Sequence, residues 1–167
     1  MAQPIQVKMR TVYEAVCRDA TGRIKWVATA HNIVVTAGLN KLLDATFKTG
    51  LAAPLWYVGL KSTGTPDPAD TMASHVTWTE LTAYDEAARP AWTPGAISAG
   101  SVSNTGAKAR FTASGNMTIL GLFLTDIATK AGATGTLYGA ADFSEGTRTM
   151  VDNDTLDVTA TLTAAAA

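Results

Sequence analysis

Apolar and polar residues alternate with period two from Gln6 to Arg18, and this alternation most constrains what the chain can fold into. Successive side chains of a β-strand point to opposite faces of its sheet, so the pattern predicts a long strand with one buried face. Asp19 to Gly22 then predicts a hairpin turn, with the glycine supplying a positive φ. A second strand, from Arg23 to Thr29, is expected to pair antiparallel with the first. Cys17 falls on the buried face and is expected to act as a small hydrophobic residue.

The rest of the chain predicts further short strands. Met117 to Asp126 is the most apolar stretch and is expected in the centre of a sheet. Near the end of the chain a last strand alternates again, and its predicted buried face consists of Leu156, Val158, Ala160 and Leu162. Some eight strands with turns about every ten residues are typical of a β-sandwich or a barrel.

One helix is predicted after the first two strands. Its apolar residues recur at helical spacing and are Leu39, Leu42, Leu43 and Phe47. Thr36 is expected to cap the N-terminus of this helix, and Gly50 stands where a C-cap glycine belongs. The amphipathic pattern predicts that the apolar stripe lies against the core of the sheet.

Length and charge restrict the class of protein. The 167 residues suit one domain, predicted at residues 6–164 between a flexible arm (1–5) and a C-terminal tail (165–167). Lys and Arg are spread singly and the net charge is −1, which disfavours nucleic acid as a partner. The first ten residues lack the apolar region of a signal peptide, and no apolar run is long enough to span a membrane.

The residues that chemistry requires are few. His31 and His75 are the two histidines, no serine lies in a nucleophile elbow, and one cysteine with two distant histidines gives no zinc pattern. The acidic segment 152–157 lacks the glycine of a calcium loop and predicts a turn whose Asp and Asn side chains bond their own backbone. We therefore predict no catalytic residue, metal or cofactor. A glycan hydrolase hypothesis would have to use the loop carboxylates Asp67, Asp70, Asp85 and Glu86.

A set of motifs along most of the chain resembles a family of small virion proteins from tailed bacteriophages. The motifs are Asn32–Leu43, Trp56–Leu60, Ala69–His75, Thr79-Glu80, Tyr84, Glu86, Arg89-Pro90, Gly121, Phe123–Thr125, Gly135–Tyr138 and Asp154–Leu156. The resemblance implies a mainly β protein, an antiparallel, jelly-roll-like β-sandwich with one short amphipathic helix packed on it. It also implies a non-enzymatic decoration (cement) protein on the capsid exterior, made in the cytoplasm of the host bacterium. The alternative is a tail, baseplate or fibre-attachment subunit, with or without binding of a host glycan.

The partners that the resemblance implies are the major capsid protein and further copies of the chain, as dimers or trimers at capsid symmetry axes. Strand addition through the N-terminal ribbon and contacts through the Pro-rich segment 87–106 are the expected means of attachment. Tryptophan is a common interface anchor, although Trp78 and Trp92 also suit a core. The candidate capsid or self contacts are Ile5, Val12, Trp78, Arg89 and Trp92.

Overall fold

A computed structural model describes residues 7–48 and 52–166 of the chain. These residues form antiparallel sheets and one helix, α1 (Thr36–Phe47). The strands are β1 (Val7–Arg18), β2 (Ile24–His31), β3 (Ile33–Val34), β4 (Trp56–Gly64), β5 (Trp78–Leu81), β6 (Ala91–Trp92), β7 (Ser101–Ser103), β8 (Ala109–Thr112), β9 (Met117–Ile119), β10 (Gly121–Thr125), β11 (Leu137–Asp142), β12 (Arg148–Met150) and β13 (Thr155–Ala166). The predicted antiparallel β-sandwich with one short helix is confirmed.

Two sheets make up the sandwich. The first sheet has the order β2-β1-β13-β7, with β8 also paired to β13. The second has the order β3-β11-β10-β4-β5, with β6 also paired to β4, and β9 and β12 form a separate ribbon. The apolar stretch predicted to be central is divided at Leu120, and its second half, β10, does lie in the middle of the second sheet.

The predicted N-terminal ribbon is present and lies inside the first sheet. β1 pairs with β2 over Val12–Arg18, and with β13 along its whole length, from Arg18↔Thr155 to Val7↔Ala166. Strand pairing therefore continues into the segment that was predicted to be a C-terminal tail. Ile5, predicted as a contact residue, lies outside the described residues, as do the rest of the predicted arm and Gly50.

The inner faces of the two sheets share the larger of two apolar cores. Tyr13 and Val158 from the first sheet meet Leu60 and Leu122 from the second, and all four side chains are buried. Cys17 belongs to this core as predicted, and burial raises the pKa of its thiol to about 12. The period-two patterns of β1 and β13 are thus explained by one shared interior.

A smaller core lies on the outer face of the second sheet. Phe123 and Ala140 point to this side and are covered by Val35, Met72 and Trp78. The segment between β4 and β5 supplies part of this cover, so β10 is buried on both faces. That double burial explains why its sequence reads as a continuous apolar run without alternation.

The helix packs on the sandwich, but three of the four residues of its predicted apolar stripe face outward. Gly38 is the buried residue of α1, where an added Cβ would lie 2.3 Å from the carbonyl oxygen of Tyr138 in β11. Leu39, Leu43 and Phe47, at intervals of four residues, are 41%, 55% and 78% exposed. The expectation that the stripe lies against the sheet is therefore wrong for Leu39, Leu43 and Phe47, because the helix approaches β11 through Gly38, whereas Leu42 does pack against the core.

The helix also begins without the predicted cap. Val35 is the N-cap residue and provides no side-chain hydrogen bond. Thr36 is the first helical residue, and its N–H donates to the carbonyl of Pro68 at 3.0 Å. A loop carbonyl therefore satisfies one of the free N–H groups that a capping side chain would otherwise bind. Among the described residues no helix has the length and apolar character needed to cross a membrane.

Replacing Gly38 by Ala is expected to destabilise the protein by about 1–3 kcal/mol, because the new methyl group collides with the β11 backbone. Helix propensity alone favours Ala over Gly by about 1 kcal/mol, so the sign of the change distinguishes the two effects. Urea unfolding followed by circular dichroism measures it. Gly106→Ala is the matched control, since nothing lies within 4 Å of its Cβ position. A Gly38→Ala protein as stable as the wild type would contradict this packing.

Candidate docking surfaces

Val12 is on the solvent side of the first sheet. It is half-buried between Thr161 of β13 and His31 of β2, its partners in the neighbouring strands. The surrounding outward positions of β13 are occupied by threonines. Val12 is thus accessible to a partner, on a face that also carries the outward pair Val16 and Val27.

Trp78 is an interior residue rather than an exposed anchor. Its side chain is 3% exposed, and its indole Nε1 donates to Asp70 Oδ2 at 2.8 Å. The ring contacts Phe123, with 5.1 Å between centroids, and stacks on the imidazole of His75 at 3.9 Å. Of the two roles that suit Trp78, core and interface, the structure therefore shows the core role.

Arg89 is also inside the protein, in an ion pair with Glu80. The guanidinium donates to both carboxylate oxygens, at 2.8 and 2.7 Å, and a third bond of 2.8 Å goes to the carbonyl of Ile127. It also lies 5.3 Å from the centre of the Phe123 ring. With its side chain fully buried, Arg89 does not reach a partner in this conformation.

Trp92 lies between the core and an open groove. The indole is 7% exposed, and its Nε1 donates to the carbonyl of Ala160 at 3.0 Å. The same residue lines an apolar groove of about 350 Å³ at one end of the sandwich, which we call the end groove. The end groove is lined by Met9, Leu42, Trp56, Trp92, Ile97, Gly100, Ser101, Val102, Leu162 and Ala164.

The helix extends the end groove with exposed apolar surface. Leu42 packs against the larger core and also lines the end groove, and Leu43 follows it on the helix. Leu39, Leu43 and Phe47 form a row that we call the helix stripe. Exposed apolar side chains in a row and an open apolar groove are typical of interaction sites, so the helix stripe and the end groove are the candidate docking surfaces.

Three of the groups considered for catalysis, Asp70, Glu86 and His75, have structural partners. Asp70 Oδ2 also accepts from the backbone N–H of Asp67, Glu86 Oε2 accepts from the N–H of Thr112, and His75 Nδ1 lies 3.1 Å from the carbonyl of Trp78. Asp154 Oδ2 accepts from the N–H of Val151, as predicted for an acidic turn. Within the described ranges, no group of three His, Cys, Asp or Glu side chains is arranged to hold a metal ion.

Lys61 is a buried cation that the sequence did not single out. Its Nζ is 2.5 Å from Asp142 Oδ1 and donates to the carbonyls of Thr63, at 3.0 Å, and Gly64. Burial lowers the pKa of this amine, while the Asp142 carboxylate acts in the opposite direction. Three acceptors for three N–H groups fit an ammonium that joins β4 to β11.

Comparisons with known proteins do not assign a function to these surfaces. No protein-family model matches the chain, and no curated protein matches it. The interpretation of the docking surfaces therefore depends on the structure and on the motifs in the sequence.

Proposed function

We propose that the protein is a structural subunit of a tailed-bacteriophage virion, which binds the outside of the capsid and cements neighbouring major capsid subunits. The exposed row of Leu39, Leu43 and Phe47 beside the end groove is the observation that supports a role in binding other subunits. The motifs that resemble small virion proteins supply the class of partner. A rigid sandwich with an uncovered apolar end suits a clamp better than a catalyst.

The proposal includes no enzymatic step. The buried charges Lys61 and Arg89 are held by acceptors of the protein itself, and Asp70 accepts two hydrogen bonds from its own fold. A general acid or base must lie within reach of a substrate to transfer a proton. These groups instead bind other parts of the protein and stabilise the fold.

Cementing follows from two physical effects. Contacts with two capsid subunits at once turn modest affinities into strong avidity. A protein that binds the expanded shell and not its precursor also stabilises the expanded state by mass action. The end groove and the outer face of the first sheet give the sandwich separate surfaces for such contacts.

The copy number of the protein in purified virions tests the proposal. Quantitative mass spectrometry against the major capsid protein should give a simple fraction of the capsid count, in the hundreds per particle. A ratio of a few per cent or less would contradict cementing and support a tail, baseplate or fibre-attachment subunit. Absence from the particles would contradict both virion roles.

A further inference from the structure

The first strand has an open edge at its start. β2 runs beside β1 only from Val12, which pairs with His31, and the N–H of Asn32 donates to the carbonyl of Thr11 at 2.9 Å. On its other side, β1 stays paired with β13 as far as Val7. Residues 7–10 therefore lack a neighbouring strand on the β2 side in the part of the chain that the structure describes.

The register shows which main-chain groups face this edge. Along an antiparallel strand, the N–H and C=O of successive residues point alternately to the two sides. Thr11 directs its carbonyl towards the β2 side, so Val7 and Met9 do the same. An open groove of about 510 Å³ lies beside them, lined by Lys8, Met9, Arg10, His31 and Asn32. The edge thus offers two donors and two acceptors to an incoming strand.

The charges at this edge restrict the incoming strand. Lys8 and Arg10 point to the outer face of the sheet and are exposed, and neither forms an ion pair with any described residue. His31, also exposed, lies in the same groove. A second copy added through the same edge would bring two pairs of cations opposite each other, which is unfavourable. Lysines at an open edge are a known means of preventing such self-pairing.

We propose that residues 7–10 bind an extended segment that carries carboxylates on one face and apolar side chains on the other, by strand addition to β1. Opposite Lys8 and Arg10 the two strands form non-hydrogen-bonded pairs, in which facing side chains are closest. Carboxylate side chains of the incoming segment are therefore favoured at the positions that face Lys8 and Arg10. The alternate positions of the segment lie beside Val7 and Met9 and are apolar. That the segment belongs to a capsid subunit rests on the function proposed above.

Two synthetic peptides of equal length test the charge and strand requirements. Ac-TEVEVET-NH2 should shift the backbone N–H resonances of residues 7–10 and 31–32 in a saturable way. Ac-TKVKVKT-NH2 should bind about tenfold more weakly at low salt, because two opposite-charge pairs become two like-charge pairs. The difference should shrink at high salt. Equal binding of the two peptides, or no saturable shift at residues 7–10, would overturn the proposal.

The main-chain contribution is tested by Met9→Pro. Proline removes the N–H that faces the open edge and leaves the hydrogen bonds between β1 and β13. This variant should lose binding of the acidic peptide at least about tenfold, while Met9→Ala, which keeps the N–H, should lose less. Lys8→Glu combined with Arg10→Glu should reverse the peptide preference, and this test does not depend on how well proline is tolerated. No reversal would overturn the charge assignment.

Capsid binding separates this inference from the proposed function. If wild-type protein and Met9→Pro bind expanded capsids equally, the edge is not the capsid contact, although cementing would stand. If the wild type does not bind capsids but takes up the acidic peptide at residues 7–10, cementing fails and the edge site stands. Self-association that Met9→Pro abolishes would replace the acidic segment by a second copy and overturn the proposal.

Discussion

Replacing Glu80 by Ala should destabilise the protein by about 3–5 kcal/mol, measured by urea unfolding at neutral pH. The Arg89 side chain is fully buried, and Glu80 supplies both acceptors for its Nε and Nη2 groups. Removing the carboxylate leaves a guanidinium in the interior without its counter-charge. Glu80 Oε2 also accepts from the N–H of Ala131, so the turn between β10 and β11 loses a contact as well.

Two further variants identify the cause of this loss. Glu80→Gln keeps the shape and one acceptor, so it should cost less than Glu80→Ala. Glu80→Leu combined with Arg89→Met removes both charges and should recover much of the stability, because apolar side chains of similar volume often replace a buried ion pair without loss. A Glu80→Ala protein within about 1 kcal/mol of the wild type would mean that water reaches Arg89 after a small local movement.

This ion pair also shows why two of the predicted interface residues, Trp78 and Arg89, are interior ones. Glu80 and Arg89 are nine residues apart, and Trp78 bonds to Asp70 across eight. Neither spacing follows a helix or a strand period, so the sequence gives no sign that the two side chains meet. Exposed Trp and Arg side chains are typical of interfaces. In this protein each of the two has a bonding partner that holds it in the interior.

The strands were predictable because a strand that is buried on one face has apolar and polar residues that alternate with a period of two. β1 and β13 have this period; β1 was predicted with nearly its observed limits, and the predicted buried face of the last strand, Leu156 to Leu162, is the buried face of β13. The first predicted strand was also longer than the second, as it is in the structure. The pattern does not show which strand pairs with the other edge of β1. Only the structure identifies that strand as β13.

The helix was placed correctly, but its orientation was not predictable from its apolar spacing alone. A hydrophobic stripe shows that one face of a helix avoids water, without showing what covers it. Gly38 and Leu42, four residues apart, mark the side that packs on the sandwich, and a small residue there permits close contact with β11. A glycine within a predicted helix was the available signal, because it costs helix stability and needs a packing reason.

Replacing Leu43 and Phe47 together by Glu should lower binding to expanded capsids about 100-fold, while the free energy of unfolding stays within about 0.5 kcal/mol of the wild type. Both side chains are more than half exposed, so the isolated protein loses little packing. In a docked state they would be the apolar anchors of the helix stripe, and two carboxylates there would be desolvated without partners. Co-sedimentation of purified protein with expanded capsids measures the binding.

Val76→Glu is the matched control for this helix variant, because Val76 is 93% exposed and lies outside the helix stripe and the end groove. It should bind capsids as the wild type does. If both variants bind normally, the helix stripe has no role in attachment, and the open edge of β1 becomes the main candidate contact. If the double variant alone fails to bind, the stripe is part of the interface, since equal stability excludes unfolding as the cause. Loss in both would indicate a general effect of added negative charge, which raising the salt concentration would reverse.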